Sequence, residues 1–185
     1  MEIIFIRHGE PDKALVDSRG FVGMGRDMAP LTKTGIKQAE EAALNPNLVG
    51  AQIILSSPYT RALQTAAIIS KKIGIDITVE MDLHEFIPDK RFLVKGEIEN
   101  ESLHKDFIKH HGEYPLGETR NWETITEIIN RSQPVLDKYL EKGYKKIIVV
   151  AHGGVIRRYT GISSISHCEV TTIQYEKGFE CFKWV

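Results

Sequence analysis

The stretch MEIIFIRHGE at residues 1–10 decides the predicted fold. Residues 3–6 form a near-continuous apolar run rich in β-branched side chains, which is typical of a buried strand in a parallel sheet covered on both faces. Residues 53–55 and 147–150 have the same character, and residues 75–79 are a fourth candidate. Because the first three runs are each followed by a helical pattern, we expect a three-layer α/β/α fold with a mostly parallel central sheet.

Capping residues and apolar periodicity predict the helices. Ser57 followed by Pro58 favours a helix start, since serine caps well and proline suits the first helical position. Pro134 is expected to kink or interrupt a long helix. A C-terminal hairpin is expected to turn at Lys177-Gly178. The predicted helices cover 33–44, 58–72, 101–110, 120–142 and 155–159, and the two hairpin strands cover 169–175 and 179–184.

The length of 185 residues suits one domain, over residues 1–185, in which roughly 70% of the unfolded chain's surface is buried. The segment at about 84–120 is polar and weakly periodic and lies between core elements, so we interpret it as an inserted cap rather than a second domain. The glycine-containing loop at 11–29 could close over a ligand.

Composition limits the possible partners. The net charge of −1 gives no basic footprint for nucleic acid or an anionic membrane, and no apolar stretch approaches the roughly 20 residues of a membrane span. With no export signal, Cys168 and Cys181 indicate a reduced, cytoplasmic protein. The sequence leaves the oligomeric state unknown.

Polar side chains follow three of the predicted strands. Arg7 and His8 come after the first, Ser57 after the second with Arg61 close behind it, and His152 after the 147–150 strand. Ligands bind outside the carboxyl ends of strands in open α/β sheets, so we expect these residues to converge. Arginine forks and a helix N-terminus match phosphate. One imidazole could then attack phosphorus while the other stabilises the equatorial oxygens.

The ordered motifs make the chain resemble the histidine phosphatase superfamily, in its phosphoglycerate mutase-like fold. The resemblance implies that His8 accepts the phosphoryl group, that Arg7, Arg61 and His152 form the phosphate pocket, and that no metal or other cofactor is needed. The motifs are Arg7-His8-Gly9-Glu10, Pro30-Leu31-Thr32 with Gly35 and Gln38-Ala39, Ser56-Ser57-Pro58 with Arg61-Ala62 and Thr65-Ala66, Gly117-Glu118-Thr119, and Ala151-His152-Gly153-Gly154.

The resemblance also implies a carboxylic general acid, for which Glu85 is the best match. An alkoxide leaving group must be protonated, and the same carboxylate can later activate water. The sequence after Glu85 departs from the family pattern, so Asp82 and Asp89 stay open as alternatives. A short chain, and the absence of an asparagine that the mutases often carry after the first motif, favour a phosphatase over a mutase.

The predicted substrate is a small phosphorylated metabolite. Lys90 and Arg91 could bind a second anionic group on it, although such residues are usually solvated charges. The spacing of His104, His110 and His111 fits no closed metal site, which favours a solvated cap face. The full set of candidate substrate contacts is Gly9, Ser57, Gly153, Lys90 and Arg91.

Three other functions stay open beside a metabolite phosphatase. One is a phosphoglycerate-type mutase, and another is a protein phosphohistidine phosphatase, which needs no strong acid because its leaving group is already good. The third is a non-catalytic module that binds phosphorylated ligands. The intact arginine and histidine set argues against this last function, because a binding scaffold needs no nucleophile.

Overall fold

The computed structural model describes residues 1–184, without the side chain of Glu97. Its sheet contains five strands within that range: β1 Glu2–Arg7, β2 Ile54–Ser56, β3 Ile77–Val79, β4 Lys146–Ala151 and β5 Val170–Gln174. The spatial order is β3-β2-β4-β1-β5. The strands β1 to β4 pair in parallel, and β5 pairs antiparallel with β1. The predicted mostly parallel sheet is confirmed.

Successive side chains of the central strands point to opposite faces of the sheet, and both faces are covered by helices. Ile4 and Ile6 of β1 pack with helices that precede and follow β2, whereas Ile3 and Phe5 pack with helices on the opposite face. These helices, in chain order within the described residues, are α1 Lys13–Ser18, α2 Lys33–Ala42, α3 Thr60–Ile73, α4 Glu97–Lys109, α5 Ile125–Glu141 and α6 Gly153–Thr160. The three-layer α/β/α arrangement is therefore confirmed, with α3 on one face and α5 and α6 on the other.

Two of the predicted helices begin later than expected. The helix expected to start after Ser57 begins only at Thr60, because the Ser57 hydroxyl is bound elsewhere in the site and residues 58–59 form a bend. The helix expected from residue 120 begins at Ile125, where Thr124 and Glu127 form a reciprocal capping box. Pro134 lies inside that helix, which continues through it.

The predicted C-terminal hairpin is half correct. The strand β5 and the turn at Lys177-Gly178 are present, but residues 179–184 form no strand. They follow α6 instead: Phe182 N donates to the Arg158 carbonyl, and the Arg158 guanidinium donates to the carbonyls of Phe182 and Trp184. A buried arginine thus holds the segment that the sequence pattern assigned to the sheet.

The two excursions from the sheet are ordered around short helices. In the 84–120 segment, α4 begins four residues earlier than the sequence predicted and packs Phe107 against Trp122 and Ile125. In the 11–29 segment, α1 is followed by a 3-10 helix at Gly23–Met28. The Gly23 N–H donates to the Val94 carbonyl at 2.8 Å, so the two excursions contact each other. Among residues 1–184, no helix is long and apolar enough to span a membrane.

Candidate active site

Three parallel strands end at one edge of the sheet. His8 follows β1, Ser57 follows β2, and His152 follows β4, which lies between the other two. The rings of His8 and His152 lie 5.0 Å apart between centroids. A cavity of about 810 Å³ opens at this edge, and the predicted site residues that line it are Arg7, His8, Arg61, Glu85 and Gly153. The convergence inferred from strand ends is thus present in the structure.

Hydrogen bonding fixes the tautomer of His8. Its Nδ1 lies 2.7 Å from the carbonyl oxygen of Gly9, and a carbonyl can only accept, so Nδ1 carries the proton. The lone pair is therefore on Nε2. Burial and the neighbouring Arg61 charge hold the pKa of His8 well below its usual value. The neutral imidazole is the nucleophilic form.

Two arginines supply positive charge around this ring. Arg61 donates from Nε to His8 Nε2 at 3.2 Å, and its Nη1 pairs with the carboxylate of Asp27 at 2.9 Å. Arg7 donates to the Ile165 carbonyl at 2.5 Å, and its buried Nε has no hydrogen-bond partner within residues 1–184. Both charges lower the pKa of His8. An oxyanion near Nε2 would therefore meet donors that the protein itself does not saturate.

His152 is fully buried beside His8. Its Nε2 lies 2.7 Å from the Ser57 hydroxyl, whose oxygen also accepts from Tyr59 N. If Ser57 donates to Nε2, the imidazole proton lies on Nδ1, a buried atom with no partner in the described part of the chain. Burial and Arg61 hold the pKa of His152 well below its usual value. A neutral imidazole with a free N–H can donate to a phosphoryl oxygen.

The glycines of the two strand-end motifs differ in position. A Cβ on Gly9 would lie 2.6 Å from the Gly35 carbonyl oxygen, so this position needs glycine for close packing. The Gly9 N–H donates to Thr65, which connects β1 to α3. Gly153 lines the cavity at the first residue of α6, with open space around it. Gly9 therefore packs beneath the site, while Gly153 borders the cavity.

Hydrogen bonds hold Glu85 at the N-terminus of α6. Its Oε1 accepts from the backbone N–H of Phe86 at 2.8 Å and of Gly154 at 3.0 Å. Gly154 is the second residue of α6, so the carboxyl group lies at the positive end of that helix. Both bonds engage Oε1 and leave Oε2 without a hydrogen-bond partner among the described residues. Glu85 lines the cavity with His8, as a proton donor to a leaving group must.

The two alternative acids fit less well. Asp82 is exposed and does not line the cavity. Asp89 lines it but accepts from the Arg91 side chain and from the backbone N–H of Leu93. Burial alone would raise the pKa of Asp89, but these hydrogen bonds outweigh it and hold the pKa below its usual value. A carboxyl group that holds its charge so firmly is a poor proton donor.

Lys90 and Arg91 lie outside the cavity, contrary to the role expected for them. The Lys90 ammonium pairs with Glu127 at 2.5 Å and also binds the Tyr114 hydroxyl, and the exposed Arg91 pairs with the buried Asp89. Both side chains therefore form ion pairs that stabilise the cap segment. Sequence could not show this, because their partners are set by the folded path of that segment.

The cap histidines are not equivalent. His104 of α4 is exposed and lines the cavity, whereas His110 lies 3.4 Å from Asp106 at the far end of the helix. His111 is exposed. Among residues 1–184, no three histidine, cysteine, aspartate or glutamate side chains are arranged to hold a metal ion. His104 and His111 are exposed, as expected for a solvated face, and His104 also borders the cavity.

The cavity residues that sequence reasoning missed include Asp27, Arg157 and His167. His167 lies 5.6 Å from His8 between ring centroids. It precedes β5, and because β5 is antiparallel, its start lies at the same edge as the end of β1. That reasoning could have found His167. No local pattern marks Asp27, whose role depends on its contact with Arg61 from a separate loop.

Comparison with known proteins agrees with this site. The model of the histidine phosphatase superfamily, branch 1, matches residues 3–178. The chain belongs to that superfamily.

Two curated relatives carry different names. The uncharacterized phosphatase PhoE of Bacillus subtilis (strain 168) is 32% identical over 156 residues, covering 83% of this chain and 72% of PhoE. A probable phosphoglycerate mutase GpmB of Proteus mirabilis (strain HI4320) is 26% identical over 157 residues, covering 83% of this chain and 70% of its own. Membership of the superfamily and the likeness to PhoE together support a phosphatase.

Solved structures show the same fold. A mycobacterial glucosyl-3-phosphoglycerate phosphatase, solved with VO3, superposes with a TM-score of 0.72 at 18% identity, covering 94% of this chain and 90% of its own. At that identity the likeness concerns the fold.

Proposed function

We propose that this protein is a phosphomonoester hydrolase that acts on a small phosphorylated metabolite through a phosphohistidine at His8. The observation that carries the proposal is the tautomer of His8: its Nδ1 is bonded to the Gly9 carbonyl, and its unprotonated Nε2 lies beside Arg61. Both ring nitrogens are engaged, but Nδ1 is held by a neutral backbone carbonyl, whereas the lone pair of Nε2 accepts from the guanidinium of Arg61. A guanidinium is itself a phosphate-binding group, so this lone pair lies where a phosphoryl group would be held.

In the first step Nε2 of His8 attacks phosphorus, and the bond from phosphorus to the ester oxygen breaks. Glu85 gives its proton to the departing oxygen, which leaves as an alcohol. Arg61 turns its Nε from His8 to a phosphoryl oxygen, and Arg7 and His152 offer their unpartnered N–H groups to the others. The charge that spreads over these oxygens in the transition state is what the pocket stabilises.

In the second step water attacks the phosphohistidine on the face that the alcohol left. The Glu85 carboxylate takes the proton from this water, and the bond between Nε2 and phosphorus breaks. Inorganic phosphate leaves, and both side chains return to their first state. The cavity of about 810 Å³ falls in the usual range for small-molecule sites, which supports a metabolite rather than a protein substrate.

The test is hydrolysis of a panel of phosphorylated metabolites and aryl phosphates with chelator present, comparing wild type with His8→Asn. We expect release of inorganic phosphate by wild type and none above background by the variant. Full activity in His8→Asn would overturn the proposal.

A mutase is the second candidate, because one relative is named a probable phosphoglycerate mutase. It would pass the phosphoryl group to a second acceptor instead of water. Incubation with 3-phosphoglycerate separates the two: isomerisation without loss of organic phosphate would favour the mutase, and release of inorganic phosphate favours the hydrolase.

A further inference from the structure

The described residues provide no partner for Arg157, a cationic side chain of the cavity. Arg157 lines the cavity, its Nε is buried, and neither an ion pair nor a hydrogen bond engages its guanidinium within residues 1–184. Removing a guanidinium from water without a partner is unfavourable. The other arginines of the cavity bind protein groups: Arg7 binds Ile165, Arg26 binds Asp17, Arg61 binds Asp27, and Arg158 binds Phe182 and Trp184.

Arg157 lies on the side of the cavity where the alcohol must leave. It is three residues after Gly154 in α6, and residues at this spacing share a helix face. The N–H of Gly154 holds Glu85, the proposed proton donor to the leaving group. Arg157 is therefore placed beside the alcohol portion of the substrate rather than opposite it.

The cap contributes polar groups to the same region. Asn100 and His104 are one helical turn apart on α4, and both line the cavity. Burial, and then the charge of Arg157, lower the pKa of His104, so the imidazole is neutral at neutral pH and stands close to that charge. A neutral imidazole and an amide can each donate a hydrogen bond to an anion held by the guanidinium.

The cavity also has an apolar wall, against which the hydrocarbon part of a substrate can pack. Phe86 and Phe107 both line the cavity, with ring centroids 4.6 Å apart. Glu85 is the neighbour of Phe86, so this wall continues from the acid toward α4. A planar or compact carbon skeleton can lie against it with one end at His8 and the other at Arg157.

We propose that Arg157 binds a second anionic oxygen group, a carboxylate or another phosphate, on the alcohol portion of the substrate. The inference rests on the proposed hydrolase function and narrows its substrate to phosphomonoesters that carry such a group. It also transfers to Arg157 the role that the sequence suggested for Lys90 and Arg91. The guanidinium fork fits either anion, since both present two oxygens in its plane.

The experiment compares three aryl esters that differ in one substituent. The probes are 4-carboxyphenyl phosphate, 1,4-phenylene bisphosphate and the neutral isostere 4-carbamoylphenyl phosphate. The measured quantity is the kcat/KM of each anionic ester divided by that of the carbamoyl ester. We expect Arg157→Gln to lower this ratio at least tenfold for one or both anionic esters, mainly through KM, and Arg157→Lys to recover part of it.

Lys90→Gln is the matched control, because it removes one positive charge outside the cavity and its partner Glu127 also lies outside it. Its ratio should stay within twofold of wild type; a fall in Lys90→Gln with none in Arg157→Gln would return the role to Lys90. The carboxylate and bisphosphate arms distinguish the two anions. If Arg157→Gln hydrolyses the carbamoyl ester but keeps the wild-type ratio for both, the inference is wrong. If wild type hydrolyses none of the three, the hydrolase proposal itself fails.

Discussion

Replacing Glu85 with glutamine separates proton donation from everything else that this side chain does. Its Oε1 accepts from Phe86 N at 2.8 Å and Gly154 N at 3.0 Å. A glutamine oxygen can accept the same two bonds, so the turn before the cap and the start of α6 keep their contacts. The amide nitrogen that replaces Oε2 has no acidic proton to give to an alkoxide.

The magnitude follows from what a general acid contributes. Proton transfer from a positioned general acid accelerates the reaction about 10²- to 10⁴-fold, which corresponds to about 2.7 to 5.4 kcal/mol of transition-state stabilisation. We expect Glu85→Gln to lose that much in kcat/KM on an alkyl phosphate such as glycerol 3-phosphate. On p-nitrophenyl phosphate, whose leaving group departs without protonation, the loss should be under about tenfold by the same reasoning.

The assay is steady-state release of each alcohol, with kcat/KM as the readout. This quantity ends at the first irreversible step, so slow hydrolysis of the phosphohistidine by the variant does not enter it. Asp89→Asn is the matched control, because Asp89 also lines the cavity but is held by Arg91 and Leu93. Equal losses on both esters in Glu85→Gln would refute the assignment, and a leaving-group effect in Asp89→Asn would move it there.

Three further outcomes follow from burial and packing. Because the pKa of His8 is held well below its usual value by burial and Arg61, kcat/KM corrected for substrate ionisation should stay level as the pH falls through 6.5 and drop only below it; an acid limb centred at or above 6.5 would contradict the neutral nucleophile. His8 and His152 are both buried with lowered pKa values, so the unfolded chain binds more protons below pH 6.5, and the free energy of unfolding should fall there by about 1.4 kcal/mol per pH unit for each histidine. In urea unfolding between pH 6.5 and 5.5, the free energy of unfolding of His8→Asn should fall with pH less steeply than that of wild type, by the contribution of one histidine. An equal pH dependence in the two proteins would argue against the buried neutral His8. Gly9→Ala should cost about 1–3 kcal/mol in thermal unfolding, because its Cβ would lie 2.6 Å from the Gly35 carbonyl oxygen; Gly25→Ala, whose Cβ would make only ordinary contacts with Phe21, is the control and should be nearly neutral.

The strand ends were predictable because they depend on local pattern. Buried parallel strands are continuous apolar runs, and the residue after each run must lie at the carboxyl edge of the sheet. His8 and His152 could therefore be placed together from sequence, although 144 positions separate them. The tautomer of His8 could not, since it depends on the angle at which the ring meets the Gly9 carbonyl.

The remaining errors concern groups whose roles are set by distant partners. Ser57 is a residue type that favours a helix cap, but its hydroxyl binds His152 at the end of another strand, and the helix starts two residues later than that cap implied. Lys90 carries a charge suited to an anionic substrate, yet its ammonium group forms an ion pair with Glu127. Asp27 enters the site through a short 3-10 helix that no periodicity predicts. In each case a long-range contact outweighed a local preference.

Trapping the phosphoenzyme tests the central claim most directly. Wild-type protein is mixed with a ³²P-labelled phosphate ester, quenched in base within milliseconds, and mapped by mass spectrometry under alkaline conditions. The predicted result is one labelled phosphoryl group per chain, located on His8, stable in base and lost in acid, forming no more slowly than turnover and absent in His8→Asn. Turnover of the ester with no labelled protein at any time, or with the label on another residue, would contradict the account.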